Sequence, residues 1–185
     1  MTIERVPKIH YPKADIVRRG MALGLDFLGV WLISSILGGN QIGIQWVQIL
    51  VFLFCWVIFR ILVVYNNQGQ SLGRWAFDLK ILEVRNGEIT GRIPTLRSLL
   101  KREAIIGIGA LLVSIAISNI RANPTAILLL IPLGIDCGAA LSDNQMQQAL
   151  HDRYGGTFIV SSRRGYSLDI KIKRLVAKMR RSVRR

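Results

Sequence analysis

Arg18-Arg19-Gly20-Met21-Ala22-Leu23-Gly24-Leu25-Asp26-Phe27-Leu28-Gly29-Val30-Trp31-Leu32-Ile33 is an apolar run opened by two arginines, with one carboxylate about two turns inside it. A charged side chain at that depth in hydrocarbon costs roughly 2.5–3.5 kcal/mol on insertion scales, so Asp26 requires a partner or a task. Three further apolar blocks follow in the chain. A water-soluble domain spreads its hydrophobic residues at a period of 2 or 3.6, whereas unbroken runs of about 17–20 residues mark membrane spans. At 185 residues the chain is one domain by length. Its residues predict a polytopic membrane protein organised around Asp26.

The first span is expected over about 19–38, closing in Gly38-Gly39-Asn40, and the second over about 42–65, with Arg60 inside it. The third is expected over about 104–120, with Gly107, Gly109, Ser114 and Ser118 allowing close helix approach. The fourth covers about 125–141 and holds Pro132, where a kink is expected. Residues 104–141 crossing once, or re-entering, is the alternative. Residues 66–103 form the long connection. Ser71 suits a cap for a short helix through Leu72 and Trp75. Phe77, Leu79 and Ile81 alternate with Asp78 and Lys80, and Asn86-Gly87 signals a hairpin. Leu96 to Lys101 starts a helix leading back into the membrane. Residues 145–156 read as a short helix closed by Gly155-Gly156, and Thr157–Ser161 as a strand. The predicted fold is an all-α membrane protein: a four-span helical bundle with a small cytoplasmic β-hairpin and a C-terminal amphipathic helix. Its parts are a cytoplasmic arm (1–15), a membrane domain (16–160) and a basic amphipathic tail (163–185).

A net charge of +14 raises nucleic acid as a partner, but span topology accounts for it. Of 25 Lys and Arg, all but Arg60 and Arg121 fall within residues 1–20, 66–103 and 142–185. Four spans place those three segments on one side, as the positive-inside rule requires, so both termini are expected in the cytoplasm and no nucleic acid is expected as a partner. In the tail, Leu168, Ile172, Leu175, Val176, Met179 and Val183 share a helical face opposite Lys171, Lys173, Arg174, Lys178, Arg180 and Arg181. Such a helix lies on an anionic lipid surface, each cation adding on the order of 1 kcal/mol. Cys55 and Cys137 sit within apolar runs and read as small hydrophobes rather than a disulfide or metal pair. No cleavable leader is expected, because no small-residue cleavage site follows the first apolar run.

Three ionisable residues lie inside spans: Asp26, Arg60 and Asp136. At the helical rise, Asp26 lies roughly 10 Å and Arg60 roughly 8 Å below the cytoplasmic boundary, with Asp136 at similar depth. All three are therefore expected to meet in that half of the bundle. Two carboxylates around one guanidinium leave a surplus of −1. One aspartate then holds a proton, or a cation or a snorkelling Arg18 or Arg19 neutralises it. This arrangement reads either as a proton- or cation-responsive site of a transporter, or as an ion pair that locks helices together. His151-Asp152 lacks the partners that catalysis needs and reads as orienting the helix end before Gly155-Gly156 against the connection's positive residues.

An arginine opening the first span, an aspartate within it, Gly69-Gln70-Ser71-Leu72-Gly73-Arg74, Leu79-Lys80-Ile81, Asn86-Gly87 and Leu150-His151-Asp152-Arg153 with Gly156-Thr157 together resemble the RDD family of bacterial membrane proteins, over about residues 16–160. The resemblance implies that Arg18 or Arg19 is the family arginine, Asp26 the first aspartate, and Asp136 or Asp152 the second. It also implies a bacterial cell membrane as the location, and transport, with cation/proton antiport attributed to some members. The expected activity is transport of a small cation or proton by Asp26, Arg60 and Asp136, in a homo-oligomer because four spans make a thin wall. The alternative is a non-catalytic scaffold docking a membrane protein partner at its basic face. Without a nucleophile, metal or phosphate motif, neither an enzyme nor a cofactor is expected. The far halves of the spans offer mainly Ser34, Ser35, Gln45, Gln48 and Ser118 as polar groups, which favours the scaffold.

Overall fold

The computed structural model describes residues 11–38, 45–143, 146–162, 167–168 and 170–171. Helix α1 (Ile16–Gly38) opens the fold and packs along α2 (Trp46–Asn66). On α1 the buried residues are Ala22, Asp26, Val30 and Ser34, four apart along one face. Val17, Leu28, Leu32 and Ile36 face outward, each at least 49 % exposed. Polar groups inside and large aliphatic groups outside is the pattern of a helix whose surroundings are hydrocarbon, not water. Helix α2 contains one widened π turn, Ile58–Leu62, with Arg60 at its centre.

The connection then folds on one end of the helices. Ser71 caps the short helix α3 (Leu72–Ala76), its hydroxyl accepting from the Arg74 N–H, as expected from its position. Strand β1 (Leu79–Arg85) turns at Asn86-Gly87 into β2 (Glu88–Ile89). Asn86 and Gly87 both have positive φ, the geometry that an Asn-Gly turn supplies. The expected hairpin is in fact part of a three-stranded sheet, order β2-β1-β3, because β3 (Thr157–Ser161) pairs antiparallel along the other edge of β1. Part of the arm joins this end as well: Lys13 bridges Val160, and the Ala14 N–H donates to the Ile159 carbonyl. The period-two pattern gives the sheet two apolar faces. Leu79, Ile81 and Ile159 pack with Ala22, Val64 and Leu99 of the helices, while Leu82, Phe158 and Val160 form a second cluster beneath Tyr11 and Met146.

Thr95 caps α4 (Leu96–Asn119), the central helix, which buries ten residues including Arg102, Glu103, Gly107 and Gly109. Gly107 lies so close to α2 that a Cβ would stand 2.8 Å from the Trp56 Nε1. Helix α5 (Pro124–Ser142) begins as a 3₁₀ segment, Pro124–Leu130, and changes to α geometry at Ile131, beside the expected irregularity at Pro132. Helix α6 (Leu150–Gly155) ends at Gly156, held at φ +60°, and leads into β3.

Among the described residues, three helices are long and apolar enough to cross a membrane: α1, α2 and α5. The expected third span corresponds to α4, which starts eight residues before 104 and is not among those three. Arg97, Lys101, Arg102 and Glu103 occupy its first two turns. Of the tail, Lys171 is described, helical and exposed. The expected lipid-surface residues Lys173, Arg174, Lys178, Arg180 and Arg181 lie outside the described residues.

Candidate functional site

Asp26 sits on the inner face of α1, 5 % exposed, directly under the start of α3. Gly73 makes that approach possible, since a Cβ there would stand 2.0 Å from the Ala22 carbonyl oxygen. The Gly73 N–H donates to Asp26 Oδ1 (2.7 Å) and the Ser71 hydroxyl to Oδ2 (2.6 Å). Ser71 thus accepts from α3 and donates to α1 with one oxygen. Arg60 completes the shell, its Nη1 lying 2.5 Å from Asp26 Oδ2.

From Arg60 the pairing continues inward. Its Nε donates to Glu103 Oε2 (3.0 Å), and its guanidinium lies 5.3 Å from the centre of the Trp56 ring. Glu103 Oε1 accepts from Arg102 Nη1 (2.6 Å) and, at longer range, from Arg74 Nη2 (3.4 Å). Arg102 Nε donates to Asp152 Oδ1 (2.8 Å), which also accepts from the Thr157 hydroxyl (2.9 Å). Arg102 Nη2 lies 3.1 Å from His151 Nε2, and His151 Nδ1 lies 2.5 Å from Asp136 Oδ2. The backbone N–H of His151 donates to Asp136 Oδ1 (2.8 Å). The ionic chain therefore runs Asp26–Arg60–Glu103–Arg102 and ends on Asp152 and on His151–Asp136. It draws α1, α2, α4, α5 and α6 together, and each of its members is nearly excluded from solvent.

Burial raises the pKa of the Asp152 carboxyl, but the Arg102 guanidinium, His151 and the hydrogen bonds from Arg102 and Thr157 outweigh it and hold the group below the usual carboxylate range. Arg74 is in the opposite situation. Burial, together with Arg60 and Arg102 alongside, pushes its protonation equilibrium well below the ordinary value, and Glu103 and Asp26 only partly offset this.

The expected meeting of Asp26 with Arg60 is present. Asp136 does not complete that group; it is bound to His151, and Glu103 takes the second place on Arg60. The reason is the early start of α4, which carries Arg102 and Glu103 into the interior from the end of the connection. Asp152 and His151 both reach a positive residue of that connection, Arg102. Arg19 turns to the sheet end, its Nη1 donating to the Gln147 carbonyl (2.6 Å) and its guanidinium lying over the Phe158 ring. Arg18, half-buried, lies on the same helix.

A second, weaker polar patch occupies the far end of the bundle. Gln48 Nε2 donates to the Ser35 and Ser118 hydroxyls at 3.5 and 3.4 Å. Between the two zones, Val30, Phe52, Trp56, Ile106 and Ala110 form an apolar layer. Among the described residues, no group of three or more His, Cys, Asp or Glu side chains is arranged to hold a metal ion. No curated protein and no solved structure matches the chain. A model of the RDD family matches residues 13–156, a stretch that contains every member of the ionic chain. On that match the chain belongs to the RDD family.

Proposed function

We propose that this RDD-family protein crosses a membrane four times, with both termini on the cytoplasmic side, and moves protons, or a small cation in exchange for them, through its ionic chain. The observation that supports this reading is the position of His151. Asp26, Glu103, Asp136 and Asp152 face Arg60, Arg74 and Arg102, so the fixed charges leave a surplus of −1 that one proton on His151 cancels. With Nδ1–H donating to Asp136, Nε2 is an acceptor for Arg102 Nη2; protonated, it turns from Arg102 toward Asp152 Oδ2, 3.7 Å away. The test is flux in liposomes containing the purified protein and a pH-sensitive dye, with sodium or potassium gradients imposed. Wild type exchanges protons and the His151→Gln variant does not. Flux no greater than in protein-free liposomes overturns the reading.

A scaffold that docks a membrane protein partner is the second reading, and the apolar layer around Phe52 and Trp56 favours it, since that layer interrupts any polar path between the two zones. A partner that co-purifies in fixed stoichiometry with an inactive protein supports it.

A further inference from the structure

Beside the ionic chain lies a cavity of about 100 Å³. Four guanidinium-bearing residues line it: Arg19 from α1, Arg60 from α2, Arg74 from α3 and Arg102 from α4. Among the described residues, Asp152 is the one carboxylate on its wall, and that group is already committed to Arg102 and Thr157. The remaining lining is largely apolar, including Ile16 and Leu23 of α1 and Ala140 of α5. α1 and α5 are not packed extensively on each other.

Hydrogen-bond accounting separates these arginines. Arg60 and Arg102 each hold close carboxylate partners. The Arg74 side chain reaches, among the described residues, only Glu103, at 3.4 Å, on an oxygen that Arg102 already holds at 2.6 Å. Among the described residues, its Nη1 has no partner, in a side chain only 2 % exposed, and the buried Arg19 Nε has none either. A buried donor left unmade costs about 1–3 kcal/mol, more for a charged group, so two such donors on one cavity mark an acceptor missing from the protein itself.

We propose that this cavity binds a phosphate group through Arg74 and Arg19, with Arg60 and Arg102 as the surrounding positive field. A tetrahedral oxyanion presents acceptors in several directions at once, which suits the open Arg74 Nη1 and the open Arg19 Nε arriving from separate helices, the Arg19 Nη1 and Nη2 being held by the Gln147 and Ile159 carbonyls. The space admits a group of that size. The phosphate comes either from solution or from a lipid headgroup, whose acyl chains would lie along the apolar wall by Ile16 and Leu23. The cavity shares Arg60, Arg102, Asp152 and His151 with the ionic chain, but the proposal does not rest on the transport reading, because the open donors are those of Arg74 and Arg19.

Two arms distinguish the sources. In the first, full-length protein exchanged into detergent is titrated with radiolabelled inorganic phosphate at constant ionic strength in chloride. In the second, native mass spectrometry of protein extracted from phospholipid nanodiscs counts retained lipids, with inorganic phosphate as competitor. Saturable binding of one phosphate per chain in the first arm assigns a free anion; one retained phospholipid in the second assigns a headgroup. In either case Arg74→Gln weakens binding about tenfold, the value of one charge-assisted hydrogen bond. Ala140→Leu, which fills the space and leaves every charge in place, also weakens binding and keeps the test decisive if Arg74→Gln does not fold. No saturable binding in either arm, or Ala140→Leu binding as tightly as wild type, overturns the proposal.

Discussion

The two ends of the bundle are built from the same helices and held by different forces. Stepping along α2 from Arg60 through Trp56 and Phe52 to Gln48, or along α1 from Asp26 through Val30 to Ser34, the interior passes from ions to hydrocarbon to weakly bonded amides and hydroxyls. At the sheet end, short charge-assisted bonds at 2.5–3.0 Å fix five helices to one another. At the far end Gln48 makes contacts of 3.4–3.5 Å that cost little to lose. Water drives folding only outside the membrane; within it, packing and satisfied polar groups decide how helices associate. The sheet end therefore carries the specificity of the fold, and the far end contributes mainly shape.

Substitutions sharpen this contrast in a definite order. Glu103→Gln gives the largest effect, since it leaves Arg60, Arg74 and Arg102 facing one another; breaking a buried ion pair costs about 3–5 kcal/mol. The folded fraction by size-exclusion chromatography in mild detergent should collapse. Gly73→Ala comes next. Its Cβ meets backbone, not a yielding side chain, so α3 must lift from α1 at about 1–3 kcal/mol and withdraw two donors from Asp26. A lowered unfolding temperature, with a smaller loss in Ser71→Ala, checks this.

Acid gives a graded effect. The folded pKa of Asp152 is depressed, so the unfolded chain binds the proton more readily and stability rises with pH. Its contribution is complete above about pH 4, the ordinary aspartate value, and fades as the pH falls toward the folded pKa. The difference in unfolding temperature between wild type and Asp152→Asn should shrink over that range; a constant difference would contradict the assignment. Gln48→Leu is the mildest case, worth about 0.6 kcal/mol on the average for polar contacts between membrane helices. A loss as large as that of Glu103→Gln would erase the contrast between the ends.

Local chemistry made much of the architecture legible in the sequence. Ser71 announces a cap, Asn86-Gly87 a turn and Gly155-Gly156 a helix end, because each depends only on residues within a few positions. The Asp26–Arg60 pair was legible from depth alone, two spans meeting at one level. Glu103 and Arg102 were not, because charged residues at a span boundary read as solvated until the helix around them proves to be interior. The pairing of β3 with β1 joins residues nearly eighty positions apart, and no local pattern encodes it. The partner of Asp136 was hidden for the same reason: His151 reaches it only because α6 folds back across the helix ends.

The order in which the chain is made gives the ionic chain a further meaning. Asp26, Arg60 and Glu103 leave the ribosome well before His151, Asp152 and the strand that anchors them. Until that last segment arrives, Arg102 has Glu103 but not Asp152, and Asp136 has no imidazole to hold. A nascent molecule is thus left with charge unpaired at its core, and closing the sheet supplies the last partners: Asp152 for Arg102 and His151 for Asp136.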